Sequence, residues 1–362
     1  MPSNLAENVD ELTADPATML LKGEYVLSRQ VTQFERKFSR FVGVRHAIGV
    51  NSGTGAIFLA LKAAGIGKGD RVLTQANTFH ATVSVIVQAG ASPVLVDAHP
   101  ETFLMAPTEV EALADSVRAI VPVHLYGNLT PLRQFVRRRR RAGTILIEDA
   151  AQAVDAQLEG TQAGAFGDYG CFSFHPSKNL AAAGNGGAVT CHSLRARRRL
   201  LELRSLGQRS ANEHVVVGVN SKLGAIQARI LTHKLGLVRR WPRARRRVAA
   251  SYRDHLADTP VAFQRATGPE AHVYHLFQIR VPRRDALCAY LNARGVEAVV
   301  RYPKPIHLQP AFAYLRYRRG AFPVAEVLSR QLLALPIRPD MTVREVSYVC
   351  GLSRRFFGKS VE

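Results

Sequence analysis

A repeated alternation of short apolar strands and helices between residues 46 and 190 is the feature that most constrains how this 362-residue chain can fold. The strands are predicted at residues 46–50, 71–73, 93–96, 120–123 and 144–147. The helices between them are predicted at residues 56–64, 82–88 and 132–141. Such an alternation is typical of a mainly parallel sheet that helices cover on both faces. The sequence therefore predicts an α/β domain.

A different pattern begins at Leu223 and continues through the C-terminal part of the chain. Residues 223–256 have helical periodicity with a break at Pro242. The elements predicted after them are a strand at residues 276–281, a helix at 285–294, a strand at 297–302, and helices at 324–333 and 343–354. This mixture favours a small α+β module. We expect a large domain over residues 1–240 and a small C-terminal domain over residues 241–362.

The composition is that of an ordinary globular protein, with 47% hydrophobic and 21% charged residues. The first residues lack a basic start followed by an apolar core, and no stretch approaches the roughly 20 apolar residues that a membrane helix needs. The four cysteines are widely spaced without a CxxC pair, which indicates free thiols in a reducing compartment. We expect a cytoplasmic protein with no membrane segment and no metal site.

The formal net charge of +21 comes mostly from clustered arginines. The clusters are residues 137–141, Arg195 with residues 197–199, and Arg239, Arg240 and Arg243 with residues 245–247. They fall on predicted helices, so solvated helix faces are one interpretation. Attraction of a diphosphate-bearing substrate is a second, because arginine pairs well with phosphate. Nucleic-acid binding is a third, but the chain has no recognisable groove-reading motif, and we expect no nucleic-acid partner.

A lysine and a carboxylate stand in contexts that point to cofactor chemistry. Lys178 precedes the glycine-rich residues 184–187, and Asp149 follows the apolar strand predicted at residues 144–147. Burial there would raise the pKa of Asp149 unless a cation lay nearby. A pyridoxal phosphate enzyme needs a lysine that forms a Schiff base with the cofactor aldehyde and a carboxylate that keeps the pyridine nitrogen protonated. A structural arginine beside Asp149 and a surface position for Lys178 are the alternatives.

Other residues could hold the rest of such a cofactor. Gly53 and Thr54 lie between a predicted strand and a predicted helix, where free N–H groups and the helix dipole suit a phosphate, although a plain turn is equally consistent. Ser173 could add a hydroxyl to the same phosphate. Phe79 could lie on a pyridine ring or simply belong to the core. Gln152 could bond the phenolic oxygen of the cofactor.

Taken together, these residues resemble the DegT type of pyridoxal phosphate-dependent nucleotide-sugar aminotransferases, from about Gly23 to Phe357. The matching runs are Phe34 and Glu35 before Gly43, and residues 51–54, 65–70, 78–82, 90–97, 148–152, 173–187, 218–223, 227–228, 302–307 and 322–326. The resemblance implies the aspartate aminotransferase fold, fold type I. In that fold a three-layer large domain contains a mostly parallel seven-stranded sheet, and a small α+β domain follows.

The resemblance also implies a role for each site residue. Lys178 is similar to the Schiff-base lysine that moves protons, and Asp149 to the partner of the pyridinium. The implied ligands of the other cofactor groups are Gln152 for the phenolic oxygen, Phe79 for ring stacking, and Gly53, Thr54 and Ser173 for the phosphate. Asn220 resembles a residue that reaches the cofactor phosphate of a neighbouring subunit, which implies a homodimer with active sites at the interface. Tyr302 and His307 are expected to contact the substrate.

The activity implied is amino transfer from an amino acid, glutamate foremost, to C3 of a dTDP-linked keto deoxyhexose, as in amino-sugar assembly for antibiotics. The alternatives are amination at C4 or of a keto-inositol, a sugar dehydratase that uses the same cofactor, and a non-catalytic basic nucleic-acid-binding protein. Departures from the family pattern bear on sugar specificity. They are residues 27–30, residues 181–183, Asn185, Gly224, and Arg301 where a histidine is common.

Overall fold

A computed structural model describes residues 19, 21, 23, 25–132, 136 and 143–358 of the chain. The N-terminal residues considered for a secretory signal lie outside the described residues. The arginine cluster at residues 137–141 also lies outside them, as does most of the helix predicted at residues 132–141. Within the described part of the chain, no helix is long and apolar enough to cross a membrane.

Seven strands of the described chain form a mixed sheet with the order β1-β9-β8-β5-β4-β2-β3. Strand β9 runs antiparallel to β1 and β8, whereas the pairs from β8 to β3 are parallel. A small hairpin of β6 and β7 lies outside this sheet. The strands are β1 (His46–Val50), β2 (Arg71–Gln75), β3 (Ser92–Val96), β4 (Ala119–Ile120), β5 (Ile145–Asp149), β6 (Gln157–Leu158), β7 (Thr161–Gln162), β8 (Tyr169–Ser173) and β9 (Gly187–Cys191). The predicted mostly parallel α/β sheet is confirmed.

Helices cover both faces of this sheet. They are α1 (Arg29–Val42), α2 (Gly53–Ala63), α3 (His80–Gln88), α4 (Pro107–Leu113), α5 (Leu194–Arg204) and α6 (Ala225–Leu235). Each face has its own hydrophobic cluster, with Leu73 in one and its neighbour Val72 in the other, as the two-residue period of a strand requires. On the α1 face, the rings of Phe38 and Phe172 meet edge to face at 5.0 Å. The result is a three-layer arrangement.

Strand β4 is shorter than the strand predicted at residues 120–123. It ends at Ile120, and Val123 then forms an isolated parallel bridge with Asp149. The chain turns soon after this bridge, because Tyr126 and Gly127 both have positive φ. This turn lies close to the carboxyl end of β5.

The C-terminal module is built around a three-stranded antiparallel sheet in the described chain. The helical region predicted at residues 223–256 consists of two helices, α6 and α7. The chain breaks between them at Gly236 and not at Pro242, which lies in the first turn of α7, where proline is tolerated. A hydrophobic cluster drawn from residues 248–357 fills the module. The elements of the module are α7 (Arg240–His255), β12 (Ala262–Phe263), β13 (Phe277–Arg280), α8 (Arg284–Asn292), α9 (Pro323–Gln331), β14 (Leu332–Leu335) and α10 (Val343–Phe356). Before the module, β10 (Gln208–Ser210) and β11 (Glu213–His214) form a separate two-stranded ribbon. The boundary at residues 240 and 241 stays a prediction.

Two predictions in this module are wrong. Residues 297–302 do not form a strand, because only Val299 bridges to Ala334 before Tyr302 takes a positive φ of 55° and turns the chain. The helix predicted at residues 324–333 ends at Gln331, and the chain continues as β14. All four residues of β14 are buried against β13, so tertiary pairing outweighs the helical pattern.

Candidate active site

The side chains with predicted roles gather where β5 and β8 end. Asp149 is the last residue of β5 and Ser173 is the last residue of β8, and these two strands are adjacent and parallel. Lys178 lies in the connection between β8 and β9. The carboxyl ends of parallel strands are where open α/β sheets bind their ligands. The topology therefore brings the predicted lysine and carboxylate to one edge of the sheet.

Asp149 is buried, with 6% of its surface exposed. Its Oδ2 accepts a hydrogen bond of 2.8 Å from the hydroxyl of Thr82, and its Oδ1 accepts one of 3.1 Å from the backbone N–H of Ala151. Burial raises the pKa of Asp149, while these two bonds and the charge of Lys178 oppose the rise. Among the described residues no arginine pairs with Asp149. The structural-arginine alternative is therefore not supported.

Lys178 is half-buried at the same edge. Burial of the amine lowers its pKa to about 8; the charge of Asp149 opposes this change and the charge of Arg301 adds to it. An amine with this pKa is substantially neutral at mildly alkaline pH, and a neutral amine is a nucleophile. Lys178 is thus not an ordinary surface lysine.

The start of α2 forms a narrow cradle against the end of β8. Ser52 caps the helix by accepting a 3.0 Å hydrogen bond from the N–H of Gly55. A Cβ at Gly53 would lie 2.6 Å from Cβ of Ser173, so only glycine leaves room there. Thr54 is exposed in the first turn of the helix. Free N–H groups, a helix dipole and two nearby hydroxyl side chains suit a phosphate.

Gln152 links the loop after β5 to the C-terminal module. Its Oε1 accepts a 2.7 Å hydrogen bond from the N–H of Tyr126, and its Nε2 donates one of 3.0 Å to the hydroxyl of Tyr302. The rings of Tyr126 and Tyr302 stack with centroids 6.0 Å apart. Tyr302 therefore lies beside the residues of the site, and its contact with a substrate stays a prediction.

Phe79 stands at the start of α3 and is 45% exposed, so it is not a core residue. Its ring lies 4.5 Å from that of His80 and 5.8 Å from that of Tyr302. An aromatic ring held at the rim of a site is available for stacking.

For two further predicted residues, the described contacts are with other parts of the chain. Asn220 is exposed, and its backbone bridges to Ser205. The side chain of His307 is fully buried, and its Nε2 lies 3.0 Å from Oε1 of Glu326. His307 thus holds the C-terminal module together, and the structure gives no support to its predicted substrate contact.

The structure adds residues that the sequence did not single out. Thr82 is the partner of Asp149, and His124 lies 3.0 Å from the buried carboxylate of Glu148, the residue before Asp149. The N–H of Thr130 donates to Nδ1 of His124, which leaves the proton on Nε2 for Glu148. These pairings join residues 24 to 67 positions apart, so no local pattern could have predicted them.

His275 is a further residue at this edge. A Cβ at Gly127 would lie 2.9 Å from the N–H nitrogen of His275 and 2.9 Å from the carbonyl of Gln152, so the three backbones are in close contact. Burial and the charges of Lys178 and Arg301 hold the pKa of His275 well below its ordinary value. The imidazole of His275 is therefore held in its neutral form.

Known proteins match both the sequence and the fold. The profile of the DegT/DnrJ/EryC1/StrS aminotransferase family matches residues 8–353. A pleiotropic regulatory protein of Geobacillus stearothermophilus is 36% identical over 98% of this chain and 97% of its own length. The dTDP-3-amino-3,4,6-trideoxy-alpha-D-glucose transaminase of Streptomyces venezuelae is 38% identical over 91% of this chain and 88% of its own.

A solved structure agrees with these matches. The crystal structure of S. venezuelae DesV in complex with a ketimine intermediate superposes with a TM-score of 0.94 and 36% sequence identity, covering 98% of this chain and 96% of the other. The predicted fold class and the predicted aminotransferase activity are confirmed. By sequence and by fold, the chain belongs to the DegT/DnrJ/EryC1/StrS aminotransferase family.

Proposed function

We propose that this aminotransferase uses pyridoxal phosphate to move the amino group of glutamate to the C3 keto carbon of a dTDP-linked deoxyhexose. The placement of Lys178 and Asp149 at the same edge of the sheet carries the proposal. A lysine whose pKa lies near 8 and a buried carboxylate that no described arginine neutralises share one edge of the sheet. The same lysine argues against a sugar dehydratase, because such relatives resemble this chain but have histidine at that position.

The residues at this edge fit pyridoxal phosphate. The bound cofactor supplies an aldehyde for the lysine amine and a ring that withdraws electrons from the substrate carbon. Asp149 balances a positive charge on the ring nitrogen, and in return that charge offsets the cost of burying the carboxylate. At the start of α2, the absence of a Cβ at Gly53 lets the helix start lie close to Ser173, so that backbone N–H groups and the Ser173 hydroxyl are near each other. The remaining contacts that we propose are Thr54 and Ser173 to the phosphate, Phe79 to the ring face and Gln152 to the phenolic oxygen.

Lys178 also serves as the acid and base. A pKa of about 8 would allow its amine to accept and return a proton near neutral pH. Thr82 and the N–H of Ala151 keep the carboxylate of Asp149 in one orientation while this happens. The rings of Tyr302, Phe79 and Tyr126 lie next to one another and form an aromatic wall.

The nucleotide-sugar substrate is proposed from the relatives and from charge. The S. venezuelae relative is named as a dTDP-3-amino sugar transaminase, and it covers nine-tenths of this chain. The net charge of +21 favours the approach of a diphosphate. C3 is the position that we propose for the new amino group.

We propose a homodimer in which Asn220 reaches the phosphate site of the partner. Leu206, Val217 and Val219 are exposed on the same segment, at 49%, 97% and 36%. Exposed apolar side chains beside a polar residue are typical of a protein interface. Asn220 is itself exposed, so a partner subunit could contact it.

We also place the enzyme in the cytoplasm, together with its nucleotide-sugar substrate. Cys171, Cys191, Cys288 and Cys350 are free, as expected in a reducing compartment. Recovery of the protein outside the cell in a fractionation experiment would contradict this placement.

The test is a comparison of Lys178→Ala with the wild-type protein, both purified with pyridoxal phosphate. The wild-type protein should show the visible absorbance of the lysine-bound cofactor and lose it when glutamate is added. Lys178→Ala should lack that absorbance and have no activity. Lys68→Ala is the matched control, because Lys68 is exposed and precedes the amino end of β2, whereas the site lies at the carboxyl ends of the strands.

A panel of keto sugars then identifies the acceptor. Keto sugars linked to dTDP, UDP and GDP, with the keto group at C3 or C4, are each supplied with glutamate, and the amino product is located by NMR. Turnover of a dTDP-linked 3-keto sugar is the expected result. Turnover restricted to 4-keto sugars, or normal turnover by Lys178→Ala, would overturn the proposal.

A further inference from the structure

We propose that Lys234 is a positioning residue whose buried ammonium group holds in place the loop that carries Lys178. This inference rests on the proposed function, because the exact position of Lys178 matters only if its amine takes part in the reaction. It gives a role at the site to a residue of α6 that lies far from Lys178 in the sequence.

The loop between β8 and β9 closes on itself around Lys178. The N–H of Ala182 donates a 2.8 Å hydrogen bond to the carbonyl oxygen of Phe174, and the N–H of Phe174 donates one of 2.8 Å to the carbonyl oxygen of Gly186. Before Lys178 the loop runs at the surface, whereas residues 179–182 are buried. Lys178 therefore stands where the loop enters the protein interior, and its position depends on what anchors the buried half.

Side-chain hydrogen bonds anchor this buried half. Nδ2 of Asn179, the residue after Lys178, donates a 3.2 Å hydrogen bond to the carbonyl oxygen of Val273. Nζ of Lys234 donates one of 2.8 Å to the carbonyl oxygen of Ala181. The donor of this second bond is an ammonium group, and charged donors form the shorter and stronger hydrogen bonds. Lys234 thus fixes the backbone three residues after Lys178.

The same face of α6 supports the next part of the loop. Gln227 precedes Lys234 by about two helical turns, so the two side chains lie on one face of the helix. A Cβ at Gly184 would lie 3.5 Å from Nε2 of Gln227, which places the loop backbone against this side chain. The loop therefore lies along α6 from Ala181 to Gly184, and Lys234 supplies the hydrogen bond at one end of this contact.

Lys234 is a costly residue to place in this position. It is 3% exposed, and burial lowers its pKa with no charge among the described residues to oppose the change. A buried ammonium without a carboxylate partner destabilises a fold relative to an apolar side chain of similar size. Stability alone would therefore favour an apolar residue. The hydrogen bond to Ala181 is what the ammonium provides and an apolar side chain cannot.

Lys234→Met tests the proposal, because methionine fills a similar space and has no donor. The reaction followed is the loss of visible absorbance when L-glutamate is added to the holoenzyme. Its maximal rate should fall by about 10- to 100-fold, because a displacement of about 1 Å in a reacting group can cost that much. The glutamate concentration for half-maximal rate should change by less than about threefold, since the loss is not one of substrate binding.

Hydrogen–deuterium exchange follows the loop itself in the cofactor-free protein. The amides of residues 179–182 should exchange about tenfold faster in Lys234→Met than in the wild-type protein, the equivalent of one lost hydrogen bond to a charged group. Lys234→Arg keeps a charged donor and should recover part of both effects. If Lys234→Met fails to fold, Lys234→Gln takes its place in both assays, with changes expected in the same directions.

The matched control is Lys62→Met. Nζ of Lys62 also donates to a backbone carbonyl, that of Ala89 at 3.4 Å, but this contact lies at the C-terminal end of α2, before β3 and away from the site. This variant should behave as wild type in both assays. If either the maximal rate or the loop exchange of the Lys234 variant equals that of the control, the inference is overturned. Failure of the wild-type protein to react with glutamate would instead refute the proposed function.

Discussion

The hydroxyl of Thr82 donates a 2.8 Å hydrogen bond to Oδ2 of Asp149, joining the first turn of α3 to the end of β5. Both residues are buried, at 1% and 6% exposure. This bond and the N–H of Ala151 occupy one lone pair on each carboxylate oxygen. They favour the ionised form of Asp149 against the effect of burial. The hydrogen bond thus prepares the carboxylate for a positive charge.

Thr82→Val tests this relationship, because valine has nearly the same shape and no hydroxyl. The pKa of Asp149 should rise further, the cofactor should bind more weakly, and kcat should fall by about tenfold, the equivalent of one lost hydrogen bond to a charged group. The measurements are the cofactor dissociation constant and kcat, each followed from mildly acidic to mildly alkaline pH. Thr82→Ser, which keeps the hydroxyl, should retain most of the activity. Equal kcat values for the valine variant and the wild-type enzyme would show that the bond is unimportant.

The pKa of Lys178 predicts how cofactor capture depends on pH. Burial lowers this pKa to about 8, so the neutral amine increases as the pH rises and is the main form above that value. The rate at which the cofactor-free protein regains visible absorbance on addition of pyridoxal phosphate should therefore rise with pH and level off above a midpoint of about 8. Arg301→Gln removes one of the charges that lower the pKa, so its midpoint should shift upward. A midpoint near the ordinary lysine value would mean that the amine is well solvated.

Gly53→Ala tests the cradle at the start of α2. The added Cβ would meet Cβ of Ser173 at 2.6 Å, so either the helix or the end of β8 must shift. Cofactor affinity should fall by at least about tenfold, because N–H groups displaced from a phosphate lose charge-assisted hydrogen bonds. The affinity is measured by fluorescence titration with pyridoxal phosphate.

The control for this variant is Gly67→Ala. A Cβ at Gly67 would have its closest neighbour, the carbonyl oxygen of Ala89, at 3.8 Å, which is an ordinary contact. Its cofactor affinity should equal that of the wild-type protein. If Gly53→Ala bound the cofactor as tightly as this control, the phosphate would have to lie elsewhere.

The sequence was sufficient to predict five of the seven strands of the large sheet, because these five are short apolar runs between clear turns, whereas β8 and β9 were not predicted from the pattern. Strand β5 and the carboxylate at its end, Asp149, follow directly from this pattern. The C-terminal module was harder to predict. The strand β14 has the sequence of a continuing helix, and its pairing with β13 joins residues more than 50 positions apart. The partner of a buried side chain, such as Thr82 for Asp149, is also set by the tertiary fold.

Residues with a structural role can resemble site residues in sequence. His307 lies in a run that matches the family, yet it is buried and paired with Glu326 in another matching run. A similar structural role accounts for the presence of Asp97 at the end of the matching run at residues 90–97. The carboxylate of Asp97 accepts hydrogen bonds from the backbone N–H groups of Val324 and Ala325 at 2.9 and 2.7 Å. These runs hold the C-terminal module against the large sheet.

Asp97→Ala should destabilise the protein through the start of α9. No side chain at the N-cap position, Phe322, satisfies the first turn of this helix, so the carboxylate of Asp97 caps it from the end of β3. Removal of the carboxylate leaves three N–H groups without their acceptor, the two in α9 and that of Ala98, beside a residue that is only 6% exposed. The free energy of unfolding should fall by about 2 kcal/mol, the upper part of the range for losing a helix cap. Urea denaturation with a fluorescence readout measures this change.

The comparison that makes this result specific is Glu111→Ala, which removes an exposed carboxylate from α4. Its free energy of unfolding should stay within about 0.5 kcal/mol of the wild-type value, as for most surface substitutions. Asp97→Asn should fall between the two, because the amide oxygen accepts one of the two hydrogen bonds and carries no charge. Because α9 packs beside the aromatic wall that contains Tyr302, Asp97→Ala should also weaken substrate binding more than it weakens cofactor binding. If all three variants unfolded at the same urea concentration, the capping of α9 by Asp97 would contribute nothing to the attachment of the module.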